Sequence, residues 1–121
     1  MVPNKSDFLG LSTRDLLTRR RALARSIGDL EQVLLGSLVE QGRRCGKAGC
    51  RCASGAPEDA HGPYAYFTAR RGGRGWRGMK YVPAALAGPV RACLENGERA
   101  EEVLAEISAI NVELLARRAL R

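Results

Sequence analysis

The apolar residues of the chain fall into two long periodic stretches separated by a segment that has no period. Leu16, Leu23, Ile27, Leu30, Leu34 and Leu38 follow one another at spacings of seven, four, three, four and four, which lays them along one face of a helix. Ser12 or Thr13 serves as its cap, and Asp15 stands in the first turn, where a carboxylate suits the helix dipole. The spacing predicts a helix of about 25 residues within an N-terminal arm over residues 12–42, loosened by Gly36 and terminated at Gly42. Residues 1–11, with Pro3 and Gly10 and no periodicity, read as a flexible lead-in.

The second stretch is longer. Pro83 opens a short helical turn that Gly88-Pro89 breaks, and a helix then runs roughly from Val90 to Ala119 in a C-terminal arm over residues 83–121. Cys93, Gly97, Ala100, Leu104, Ile107, Asn111 and Leu114 alternate spacings of four and three in a heptad-like seam. Between the arms, residues 43–63 are rich in glycine and follow neither period. Tyr64–Thr68 and Trp76–Val82 are short and β-prone, and the glycine-rich link between them predicts a β-hairpin. The expected fold is therefore mainly α with a small β-hairpin: two long helices, paired as an antiparallel hairpin or coiled coil, flank a central module over residues 43–82.

Length and composition add limits. At 121 residues with 45% apolar content, the chain is expected to be a single folded domain. Two helices alone bury little surface, so a homo-oligomer or docking onto a larger protein is expected. No apolar run reaches the ~20 residues that span a bilayer, and no secretory signal opens the chain, so a cytoplasmic location without membrane association is the expectation.

That location keeps thiols reduced, and three of the four cysteines crowd into eight positions, Cys45 to Cys52. Cys45, Cys50 and Cys52, with His61 nine positions further on, make a Cys3His set of the kind that holds structural zinc. Lys47 and Arg51 offset the charge of the thiolates. Cys93 is the alternative fourth ligand, although its place on the helical seam suits a small buried residue. No catalytic constellation accompanies the cluster, since the single histidine is already assigned and no base stands near Ser37 or Ser54. The expectation is a non-enzymatic protein.

The net charge of +7 is carried entirely by the middle third. Residues 1–40 and 81–121 balance to within one charge, whereas residues 41–80 hold nine basic side chains against Glu58 and Asp59. The nine are Arg43, Arg44, Lys47, Arg51, Arg70, Arg71, Arg74, Arg77 and Lys80, with Trp76, Tyr64 and Tyr66 as flat surfaces among them. Arginine forks suit phosphate and a two-stranded ribbon enters a major groove, so these residues are candidate nucleic-acid contacts, with DNA preferred. The arginines of the N-terminal arm read as a solvated helix face.

Gly36-Ser37-Leu38, Cys45-Gly46-Lys47, Cys50-Arg51-Cys52, His61-Gly62-Pro63-Tyr64, Val82-Pro83 and the long final helix together resemble a family of short bacterial and archaeal proteins often encoded near transposases and other mobile elements. The resemblance implies a genomic setting and no particular activity. Two functions are expected from these features: a zinc-binding DNA-binding accessory factor of a mobile element or recombination system, or an interaction adaptor that uses the helical seam and in which zinc is purely structural.

Overall fold

A computed structural model describes residues 8–70 and 78–121 of the chain. It contains two helices and a three-stranded antiparallel sheet. This replaces the expected pair of long helices with an α+β arrangement. The residues divide into two compact units, one made of residues 1–33 and 95–121 and the other of residues 34–94.

In the first unit, helix α1 (Thr13–Ser26) starts where the capping signal placed it: Ser12 Oγ accepts the Asp15 N–H at 3.0 Å. Leu16, fully buried, meets Phe8, Ile110 and Leu114 from helix α2 (Ala84–Ala116), and Leu11, Leu17 and Leu23 close around them. Phe8 therefore belongs to the core, although it falls in the stretch read as a flexible lead-in; residues 1–7 of that stretch lie outside the described residues. The heptad-like seam is displaced. Gly97, Ala100, Val103, Ile110 and Leu114 are buried, while Leu104, placed on the seam by its spacing, is 57% exposed.

Arg117 fastens the segment before α1. Its guanidinium donates to the carbonyls of Phe8 at 3.0 Å and Leu11 at 2.7 Å, and to Glu113 Oε1 at 3.2 Å. Glu113 is buried and its second oxygen has no hydrogen-bond partner, so Arg117 is the group that offsets this carboxylate. Arg117→Ala would leave a buried charge unpaired and take one donor from each of the two carbonyls, of which that of Phe8 still accepts the Leu11 N–H at 3.0 Å. We expect a loss of about 2–3 kcal/mol in unfolding free energy, measured by urea denaturation, with partial recovery in the Arg117→Ala, Glu113→Gln double variant. A loss below about 0.5 kcal/mol would contradict this assignment.

α1 ends at Ser26, and Ile27 is already extended. The helix expected to continue to Gly42 does not exist. Its second half is strand β1 (Gly36–Arg43) of the second unit, followed by β2 (His61–Ala69) and β3 (Met79–Val82), in the order β1-β2-β3. A spacing of four is also an even number, so Leu34 and Leu38 share one face of a strand as readily as one face of a helix. A helix through this region would have carried Gly28, Gly36 and Gly42, each costing roughly 1 kcal/mol against alanine. β2 supplies the alternative, a ladder pairing Leu38 with Phe67 and Glu40 with Ala65. A Cβ at Gly36 would collide with the Thr68 carbonyl and the Phe67 ring, so glycine is required there by close strand approach.

The register sorts the sheet into two faces. Leu38, Phe67 and Lys80 lie in one row and Glu40, Ala65 and Val82 in the next row on the same side; the intervening row, Val39, Tyr66 and Tyr81, points to the other side. β2 and β3 pair antiparallel as the expected hairpin requires, while part of its connection, residues 71–77, lies outside the described residues. The break expected at Gly88-Pro89 is absent, and α2 runs through Pro89. Pro89 stands in the second turn, where its missing N–H removes one hydrogen bond near a helix end and the long remainder holds the helix together. Among the described residues no helix is long and apolar enough to cross a membrane.

Candidate metal centre

β1 ends at Arg43 and β2 begins at His61, its register partner, so the ladder brings the two ends of the cysteine segment together. Between them the chain has almost no regular structure. A turn closes from the Lys47 carbonyl to the Cys50 N–H at 3.1 Å, and two short 3-10 turns follow, Arg51–Ser54 and Pro57–Asp59. Asp59 holds the segment together from within, accepting from Arg51 and from Ser54 Oγ, both at 2.9 Å.

This folding gathers Cys45, Cys50, Cys52 and His61. One ligand atom from each lies within 4.8 Å of all the others. Cys45 Sγ and Cys52 Sγ are 3.5 Å apart, and Cys50 Sγ lies 3.2 Å from His61 Nε2. A tetrahedral ion with metal–sulfur bonds near 2.3 Å needs edges of roughly 3.8 Å between ligand atoms, so small adjustments would admit one. Four neutral-or-anionic donors converging in this way, three of them sulfur, fit a metal ion. Cys45, Cys50 and Cys52 are free thiols, and Cys93 is not part of the cluster.

The electrostatics follow from crowding. Cys50 is lowered to about 6, first by the Cys52 backbone N–H, then by the Cys52 and His61 side chains. His61 is raised above its ordinary 6.5 by hydrogen bonds to Cys45 and Cys50 and by the Cys50 charge. For Cys52 the Cys45 N–H, at 3.3 Å, favours the thiolate, but burial and the neighbouring thiols outweigh it and push the group above 9.0. Without a cation these interactions thus favour a thiolate at Cys50 and an imidazolium at His61 and disfavour a thiolate at Cys52.

Metal ligation requires the deprotonated forms, so a divalent ion must displace the protons that Cys52 and His61 retain. The sign is fixed: both groups hold protons more tightly as the pH falls, so affinity should increase as pH rises from about 6 to 8, by about tenfold per pH unit for each proton released. Competition against a chelator at several pH values checks this. An affinity that did not change with pH would contradict it.

The candidate nucleic-acid residues are distributed unevenly. Arg44 and Cys52 together line two small clefts of about 320 and 210 Å³, the first shared with Arg43 and the second with Lys47. Arg43 donates from Nε to Tyr66 Oη at 3.0 Å with its guanidinium 4.5 Å from that ring. Arg51 is engaged by Asp59, Arg70 follows β2, and Lys80 stands on the sheet face opposite Tyr66. Arg71, Arg74, Trp76 and Arg77 lie outside the described residues.

Two features escaped the sequence reading. In the first unit a cleft of about 930 Å³ is lined by Arg14, Arg20, Arg21, Arg25 and Arg121 and by no acidic residue. Arg14, Arg21 and Arg25 follow at spacings of seven and four, the signal of a single helix face. Summing charge over the whole N-terminal third concealed it. The second feature is that all three tyrosines share one sheet face, which becomes visible only with the strand register.

The fold and the cluster together define a small α+β protein with a Cys3His site able to hold a metal ion. The chain belongs to the family described as a domain of unknown function, DUF6788, whose profile matches residues 13–92. No curated protein and no solved structure matches it.

Proposed function

We propose that the protein is a zinc-stabilised nucleic-acid-binding factor without enzymatic activity, acting on DNA as an accessory of a mobile element or recombination system. The observation that carries this reading is that Arg43, Arg44 and Lys47 line clefts beside Cys52, one of the four converging donors, in the one third of the chain that holds the whole net charge of +7. Three thiolates and an imidazole are a donor set suited to zinc, and closing all four positions with protein ligands suits a structural site. The Cys50–His61 contact also has the form of a nucleophilic pair, but two further thiols share its space, as a metal requires and a nucleophile does not. The mobile-element setting rests on the resemblance of the Cys-Gly-Lys and His-Gly-Pro-Tyr motifs. The cytoplasm is the compartment that would keep these thiols reduced.

The adaptor reading has one observation in its favour: Leu104, Val112 and Leu115 are exposed on α2 at spacings of eight and three, a solvent-facing apolar row suited to a second copy or a larger recombination protein. Fluorescence anisotropy with duplex DNA, single-stranded DNA and RNA across a salt series separates the two. Binding that weakens steeply with salt supports phosphate contact, and absence of binding at low salt overturns the nucleic-acid reading in favour of the adaptor.

A further inference from the structure

Alternation along β2 places Tyr64 and Tyr66 on one face of the sheet, and the register sets Tyr81 of β3 directly beside Tyr66. The three rings form one cluster, with Tyr81 in the middle. Its centroid is 6.2 Å from that of Tyr64 and 5.9 Å from that of Tyr66, both edge-on. They are not core residues: Tyr81 is 57% exposed and Tyr64 37%. The chain has only three tyrosines, and all three stand on this face, whereas Phe8 is buried and half-buried Phe67 packs against Gly36 on the other face of the sheet.

One cationic side chain borders the cluster. Arg43 lies over one side of Tyr66 and is hydrogen-bonded to its hydroxyl, which fixes the ring and holds a guanidinium at its edge. The one carboxylate of the paired strands, Glu40, stands on the opposite face. A partly exposed cluster of aromatic rings with an arginine against one of them matches unpaired nucleobases, which offer free π-faces next to phosphates. A duplex hides those faces in its stack.

We infer that the Tyr64–Tyr66–Tyr81 face is a base-stacking platform, so the nucleic acid this protein takes is single-stranded. The inference rests on the nucleic-acid reading above and narrows it. The metal cluster supports the platform, because its ligand His61 opens the strand that carries Tyr64 and Tyr66.

The test uses the metal-loaded full chain with a single-stranded oligonucleotide and the duplex of the same sequence at matched salt. Wild type should bind the single strand more tightly. Tyr64→Ala with Tyr81→Ala should weaken single-strand binding about 30-fold while leaving duplex affinity and the salt slope unchanged, and the Tyr→Phe pair should retain binding. Equal single-strand affinity in wild type and the alanine pair, or a wild-type preference for duplex, would overturn the platform while leaving the nucleic-acid reading intact. Absence of binding to either form would remove that reading and the platform with it. A check independent of mutant folding is photocrosslinking of wild type to an oligonucleotide carrying 5-iodouracil: crosslinks at Tyr64, Tyr66 or Tyr81 are expected, and crosslinks confined to other residues would overturn the proposal.

Discussion

Purified protein is expected to retain about one zinc per chain after dialysis, and Cys50→Ser or Cys52→Ser is expected to release it and unfold the cysteine segment. The size of the effect follows from how little else holds residues 34–94 together. Cys52, itself a ligand, and Val82 are the buried apolar residues of that unit among those described, whereas Phe8, Leu16, Ile110 and Leu114 cluster in the first unit. The segment between β1 and β2 relies on two short 3-10 turns and the bonds made by Asp59. Structural zinc contributes roughly 10–16 kcal/mol of apparent binding energy in finger peptides, more than these contacts supply. Limited proteolysis should therefore cut metal-free protein between Arg44 and Ala60 while circular dichroism still reports the helices. A metal-free protein that resisted cleavage there would remove the metal's structural role.

If about five of the nine central basic side chains touch phosphates, affinity between 50 and 200 mM salt should fall roughly 500-fold for duplex, from a slope near −0.9 for each contact, and roughly 130-fold for a single strand, from a slope near −0.7. The triple variant Arg70→Ala, Arg71→Ala, Arg74→Ala should flatten that slope and weaken binding to every sequence alike, with zinc content unchanged. Arg43→Ala is informative for a different reason, since this side chain also braces Tyr66. A triple variant that binds as well as wild type at the same salt would show that this charge has no part in contact. The arginine-lined cleft of the first unit would then be the surface to test next.

Which parts of this organisation could be read from the chain depends on whether they are local. The four ligands were legible because a metal site needs particular donors at short separations, and Cys45, Cys50, Cys52 and His61 have both. The start of α1 was legible because a cap is made by its own neighbours, Ser12 and Asp15. The β2–β3 pairing was anticipated from two β-prone runs close in sequence.

The fate of residues 27–42 depended on a distant partner. Their leucine spacing satisfies a helix and a strand equally, and the choice fell to β2, whose Ala65, Phe67 and Ala69 pair with Glu40, Leu38 and Gly36. The same strand placed His61 opposite Arg43 and so closed the metal cluster, and its register with β3 assembled the tyrosine face. On α2, Leu104 has the spacing of a seam residue, but it is exposed while its neighbour Val103 is buried, because the buried row is defined by what packs against it. Donor chemistry, capping and charge are properties of residues and their neighbours. Strand identity, the buried face of a helix and the company of three tyrosines arise from pairing between segments distant in sequence, which no local pattern encodes.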